Sequence, residues 1–185
     1  MDSLKVRVVN VVASGGLGVD LNLDFVAEAF PDVQYWPKIF PAVIFKLENP
    51  RAATLLFRNG KLVCVGAKSE IEARTAVLKV IELLKSRGIK VGKPSIAVRN
   101  IVASANLGSQ IDLIKLYERA GATASKIIYE PEQFPSAAVY RMENPHVTLV
   151  IFPNGKVICC GAKKTSEIHQ AVEKLKGWLE EKNII

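Results

Sequence analysis

The sequence predicts an α+β fold built around a large antiparallel sheet, and three observations carry that prediction. The chain repeats itself. Each copy reads as strand, helix, three-stranded meander, helix. Asn-Gly hairpin signals recur at matching places. Asn10-Val-Val-Ala-Ser-Gly-Gly-Leu-Gly18 returns as Asn100-Ile-Val-Ala-Ser-Ala-Asn-Leu-Gly108, at a spacing of 90. Glu48-Asn49-Pro50, Asn59-Gly60-Lys61 and Gly66-Ala67-Lys68 return at Glu143, Asn154 and Gly161, at a spacing of 95. Two homologous units are therefore expected, residues 1–92 and 93–185, joined near the stretch from Gly88 to Pro94.

The elements follow in order. Val6 to Val12 is β-branched and extended. Gly15, Gly16 and Gly18 are expected to turn the chain, with Asp20 as N-cap of a short helix that carries Leu21, Leu23, Phe25, Val26 and Phe30 and ends at Pro31. Ala42–Leu47, Ala52–Phe57 and Leu62–Val65 read as short strands, separated by the turns at Glu48-Asn49-Pro50 and Arg58-Asn59-Gly60-Lys61. Ser69, with Glu72 three residues on, is a capping-box pattern that opens a long helix to Arg87. Ile71, Thr75, Val77, Leu78, Ile81 and Leu84 are expected on or near its apolar stripe. The second unit mirrors this, with Thr165 or Ser166 opening the last helix.

Composition bounds the function. In 185 residues, 49% are hydrophobic and 23% charged, which suits a packed core rather than disorder. No apolar run of about 18 residues is present to span a membrane. The start of the chain lacks the apolar stretch of a secretory signal, so a cytoplasmic location is expected. Three cysteines, two of them adjacent, do not make a disulfide framework, which favours a reducing compartment. The net charge of +7 and pI near 9.4 favour an anionic partner, nucleic acid first. Residues 1–92 carry 13 basic and 9 acidic groups and residues 93–185 carry 12 and 9, so neither half is a basic tail. The mean hydropathy of +0.19 is apolar for such a protein. Basic edges around an apolar middle would reconcile the two.

Enzyme readings fare poorly. His146 and His169 are the only histidines, and no nucleophile-base set includes them. Cys64, Cys159 and Cys160 lack metal-ligand spacing and are expected to pack within strands. No catalytic residue, metal or cofactor is expected.

The strands are apolar on both sides. Ala53, Leu55 and Phe57 alternate with Ala52, Thr54 and Leu56, and Val63 and Val65 with Leu62 and Cys64. Val150 and Phe152, then Ile158 and Cys160, repeat the pattern. Two helices per unit cover one face only, so the other is expected to be an apolar binding surface.

These residues carry a resemblance. Asn-(Val/Ile)-Val-Ala-Ser followed by Asn-Gly-Lys and Gly-Ala-Lys, in two tandem copies, resembles the TATA-box-binding family, as does Tyr129-Glu-Pro-Glu-Gln-Phe-Pro135. The similarity runs from about Val6 to the last helix, and the lack of a long low-complexity leader resembles archaeal members. It implies a saddle: one ten-stranded antiparallel sheet, four helices on its convex back, and promoter DNA under its concave face. The handedness of recognition would be minor-groove binding with kinking, as known for the family.

By the same resemblance, Phe40, Phe57, Phe134 and Phe152 are the wedges that enter base steps. Asn10 and Asn100 are the central asparagines, whose amides can donate to the acceptors that both orientations of an A·T pair present. Val12, Leu55, Val63, Val102, Val150 and Ile158 form the apolar floor. Val65 and Cys160 occupy floor positions where the family usually has threonine, so two hydroxyl donors are missing. Lys46, Arg51, Lys61, Lys68, Arg141, Lys156 and Lys163 are the implied phosphate contacts. Unit one has Tyr35-Trp-Pro-Lys-Ile-Phe40 in place of an acidic Glu-Pro-Glu, and one extra residue falls between Phe134 and Tyr140. Glu130, Glu132 and Gln133 lie where transcription factor B grips the family, with RNA polymerase recruited indirectly. The expected function is that of a general transcription factor on TATA-box DNA in the nucleoid of an archaeal cell, with self-association possible off DNA. Two alternatives share the sequence features: a nucleic-acid grip module of the same fold, as found on RNA/DNA-hybrid nucleases, and a protein-binding scaffold using the apolar face.

Overall fold

The computed structural model describes residues 4–121 and 126–185. Its strands are β1 (Lys5–Gly16), β2 (Gln34–Trp36), β3 (Phe40–Glu48), β4 (Arg51–Phe57), β5 (Lys61–Ala67), β6 (Ser95–Asn106), β7 (Ile127–Ile128), β8 (Ala138–Met142), β9 (Val147–Ile151) and β10 (Lys156–Ala162). Its helices are α1 (Leu23–Ala29), α2 (Glu70–Ser86), α3 (Leu113–Glu118) and α4 (Thr165–Glu181). The strands form an antiparallel sheet in the order β2-β3-β4-β5-β1-β6-β10-β9-β8-β7, which bears out the α+β class and the count of strands and helices. The chain divides into two compact units, Val9–Asn100 and Ile101–Ile185 with the residues up to Val8.

In the unit Val9–Asn100, β1 is longer than expected. Gly15 and Gly16 do not turn the chain but pair with Leu62 and Lys61 of β5. Glycine is needed at 15 for close approach: a Cβ there would run into the carbonyl oxygen of Ser95. The N-cap of α1 is Asn22 rather than Asp20. Its side-chain oxygen accepts from the Phe25 N–H at 3.2 Å, while the Leu21 N–H donates to the Arg58 carbonyl at 2.7 Å and holds the preceding residues extended. α1 ends at its C-cap Phe30, ahead of Pro31. The Asn59-Gly60 hairpin forms as expected. The Asn59 side-chain oxygen accepts from the Lys61 N–H at 3.1 Å, and Gly60, at φ +70°, donates to the Phe57 carbonyl at 2.9 Å.

Ser69 caps α2 by accepting from the Glu72 N–H at 3.0 Å, but Glu72 accepts from the Lys68 N–H instead of closing the box on Ser69. The buried stripe of α2 is Ala73, Ala76, Val77, Val80, Ile81 and Leu84, packed over β5 and β4, whose buried residues include Leu56, Leu62 and Cys64. Ile71 and Leu78 lie off this stripe and are 77% and 54% exposed. Leu78 follows the stripe residue Val77 and is carried about 100° around the helix from it.

In the other unit, α4 buries Ile168, Ala171, Val172, Leu175 and Leu179, and its Trp178 stacks on Tyr140 of β8 with ring centroids 6.0 Å apart. α4 begins at Thr165, and the Glu167 carboxylate accepts the backbone N–H groups of Lys163 and Lys164 at 2.7 and 3.1 Å. Those donors, Lys163 first, hold its pKa below the usual glutamate value.

The ladders localise the extra residue. Val43 pairs with Leu56 and Ala138 with Ile151, a spacing of 95 on both strands. Phe40 to Ala42 is Phe-Pro-Ala, whereas Phe134 to Ala137 is Phe-Pro-Ser-Ala. The insertion therefore falls between Pro135 and Ala137. It leaves Phe134 in the loop before β8, while Phe40 is the first residue of β3.

Candidate nucleic-acid interface

Each unit presents one face to its helices and one away from them. Along β4 the burial alternates: Ala52, Thr54 and Leu56 are buried, and Ala53, Leu55 and Phe57 are half-buried. β5 repeats this with Leu62 and Cys64 against Val63 and Val65, and β9 with Leu149 and Ile151 against Val150. Every residue expected in the apolar floor lies on the uncovered face. In Val9–Asn100, Ile44, Leu55, Val63 and Ser14 form one cross-strand row. In the other unit, Val139, Val150, Ile158 and Ser104 form its counterpart. Val12 and Val102, half-buried, stand on β1 and β6. Sequence reasoning missed Ile44 and Val139, although the 95-residue spacing relates them.

A second row runs Lys46, Ala53, Val65 in one unit and Arg141, Thr148, Cys160 in the other. Thr148 was also missed. Its hydroxyl-bearing side chain lies beside Cys160, whose thiol donates to the Thr148 carbonyl at 3.7 Å. Unit one has only Ala53 and Val65 there, so the two floors differ in polarity at equivalent places. Cys64 and Cys159 face the helices. Burial raises the Cys64 thiol and pushes Cys159 up to about 12, so both pack as neutral thiols.

A bulge sets the orientation of Asn10. Val11 pairs with Ala67 and Ala13 with Cys64, which leaves one extra residue on β5 at Val65-Gly66. Gly66 takes φ +91°, open to glycine, and its N–H donates to Asn10 Oδ1 at 2.8 Å. Because the backbone group is a donor, the Asn10 oxygen must face it, and the amide NH₂ is left to donate elsewhere. Ile101–Ala162 and Ala103–Cys159 show the same bulge, with Gly161 at φ +99° and Asn100 at the position equivalent to Asn10.

The four phenylalanines stand near the hairpin ends of the strands. Phe57 closes β4, and its ring meets that of Phe40 edge-on, with centroids 6.0 Å apart. Phe152 follows β9 and accepts the Gly155 N–H at its carbonyl at 3.1 Å. Phe40 and Phe134 are 39% and 51% exposed. Lys46, Arg51, Lys61, Lys68, Arg141, Lys156 and Lys163 are all exposed. Lys46, Arg51 and Lys68 border a recess of about 570 Å³ floored by Ala53, Val65 and Gly66. The Lys68 ammonium also donates to the Val9 carbonyl at 2.8 Å, which places it against β1. Glu130, Glu132 and Gln133 are exposed on a turn in which the Gln133 and Phe134 N–H groups donate to the Glu130 carbonyl.

Among the described residues no cluster of three or more histidine, cysteine or acidic side chains could hold a metal, and no helix is long and apolar enough to cross a membrane.

The family described as "Transcription factor TFIID (or TATA-binding protein, TBP)" matches residues 5–87 and again residues 95–181. The chain belongs to this family. A TATA-box-binding protein of Pyrobaculum calidifontis is 42% identical over 180 residues, covering 97% of this chain and 88% of that one. One from Archaeoglobus fulgidus is 41% identical over 95% of this chain and 94% of its own. The solved structure of Methanococcus jannaschii TBP aligns with a TM-score of 0.81 at 37% identity, covering 96% of this chain and 99% of that one. The double match to this family falls on the two repeats that the spacing of Asn10 and Asn100 reveals.

Proposed function

We propose that this chain is a general transcription initiation factor that grips the minor groove of A·T-rich promoter DNA, each repeat, 1–92 and 93–185, engaging one half-site. The observation that carries the reading is the uncovered sheet face: apolar, half-exposed, bordered by cations, and furnished with an asparagine amide whose oxygen is already occupied. An NH₂ group directed away from Gly66 suits adenine N3 and thymine O2, which accept hydrogen bonds in either orientation of the pair. Val12, Leu55, Val63, Val102, Val150 and Ile158 offer nothing to the guanine amino group, so a G·C pair loses a hydrogen bond there. Phe40 with Phe57, and Phe134 with Phe152, act as wedges that unstack a step and bend the duplex. The exposed lysines and arginines neutralise phosphates and set the salt dependence. Glu130 and Glu132 project from one turn of a basic protein and select a basic surface on transcription factor B, through which RNA polymerase is recruited.

The test is a gel-shift with three duplexes: a TATA-containing one, one in which A·T pairs are replaced by inosine·cytosine, and a scrambled control. The inosine duplex alters the major groove and keeps the minor-groove pattern, so it should bind like the parent. Loss of binding to it would overturn minor-groove readout.

A further inference from the structure

We propose that Arg99 is a phosphate anchor held by one repeat only, an inference that rests on the minor-groove reading above. The 90-residue spacing makes Val9 the counterpart of Arg99, so the residue just before the paired asparagines is apolar in one copy and cationic in the other. Arg99 is exposed on β6, and its Nε–H donates to Ser14 Oγ at 2.8 Å. Ser14 belongs to the row Ile44–Leu55–Val63 on the uncovered face, and the next residues along β1, Gly15 and Gly16, pair with Leu62 and Lys61 beside the Asn59-Gly60 hairpin, so the guanidinium is tethered at the hairpin end of the apolar floor. That bond engages Nε and leaves the two terminal amino groups to make a fork.

The fork borders a groove of about 940 Å³ lined by Ser14, Phe57, Arg58, Lys61, Val63 and Arg99. Three cations and an aromatic wedge therefore share one recess. Asp20 also borders it, but among the described residues it makes no ion pair with any of the three cations within 4.0 Å. A duplex seated on the floor with Phe57 in a base step brings its backbone past this recess. A planar guanidinium matches two phosphate oxygens at once, which a point charge does not. Since Val9 cannot do the same, the two half-sites are held unequally. The protein then has an orientation preference on DNA before any protein partner binds.

The experiment measures binding of a fluorescent A·T-rich duplex across a salt series for the full chain and for Arg99→Gln, Arg99→Lys and Ser14→Ala, with thermal unfolding as a check on folding. Arg99→Gln should flatten the slope of log affinity against log salt by about one. Over an approximately fourfold rise in salt that is about 3.5-fold less loss than for the parent. Arg99→Lys should keep the slope and bind more weakly, because charge remains and the fork does not. Ser14→Ala, which frees the guanidinium without removing charge, should also keep the slope. A parental slope in a folded Arg99→Gln overturns the anchor and leaves the minor-groove reading standing. Failure of the parent chain to prefer the A·T-rich duplex overturns both.

Discussion

Asn10→Asp separates two roles that one side chain combines. Asn10 Oδ1 accepts the Gly66 N–H at 2.8 Å, at the bulge that sets the course of β5. A carboxylate accepts the same bond, so the fold should change by no more than about 1 kcal/mol, within the net worth of one hydrogen bond. The other end of the amide fares differently. The NH₂ becomes an oxygen facing the N3 and O2 acceptors of the groove. Losing one donor to a base edge costs about 1–3 kcal/mol, which is roughly 5- to 150-fold in affinity. Repulsion between acceptors and a new negative charge near phosphates add to it. Asn10→Ala loses both ends: the bulge loses about 0.5–1.5 kcal/mol, and binding falls as well. Thermal unfolding and fluorescence anisotropy on one A·T-rich duplex read the two effects apart. Parental DNA affinity in Asn10→Asp would refute the outward donor, and destabilisation equal to that of Asn10→Ala would refute the bond to Gly66.

Other substitutions follow from the same geometry. Phe134→Ala, at an exposed ring, should change stability by less than about 0.5 kcal/mol and still reduce DNA bending, read by energy transfer between the duplex ends; parental bending would remove Phe134 from the wedges. Phe57→Ala should reduce bending and also cost stability, because the edge-on contact with Phe40 alone is worth about 0.5–1.5 kcal/mol. Reversing Glu130 and Glu132 to arginine should leave the binary DNA complex intact and abolish the ternary complex with transcription factor B; a normal ternary complex would show that the acidic turn is not the docking point. Glu167 has a folded pKa lowered by the Lys163 and Lys164 N–H groups. Its contribution is thus present above the unfolded glutamate value near about 4.3 and fades as pH falls through the lower folded value. Glu167→Gln should blunt the acid-side loss of thermal stability, and an unchanged pH profile would count against that role.

Most of the frame was legible because the chain says everything twice. Asn59-Gly60 and Asn154-Gly155 mark hairpins by residues that few other turns need, and Ser69 announces α2. The short strands β2 and β7 were not legible from residue patterns. Gln34–Trp36 and Ile127–Ile128 are too brief to show alternation, and the paired neighbours β3 and β8 define them. Asp20 reads as the cap because the sequence cannot show that Leu21 is tied to Arg58 and that the helix therefore starts after Asn22. On the uncovered face, the apolar positions could be placed by alternation. The hold of Gly66 on Asn10 could not, since it joins residues 56 apart through a bulge. Arg99 is marked in the sequence as well: it breaks the repeat between two positions that agree, Val8 with Val98 and Asn10 with Asn100.

The bulge gives the duplicated gene a division of labour. Its geometry depends on the glycine backbone and on an asparagine oxygen, and it is indifferent to the side chain at the preceding residue, where Val65 and Cys160 already differ. That slot faces away from the helices, half-buried, and takes Val65 in one copy and Cys160 in the other with the bulge unchanged, so mutation can rewrite it in one copy alone. Asymmetry accumulates in such slots first. A two-fold ancestor with no preferred direction along its ligand can thus acquire one through single substitutions, with no change of architecture.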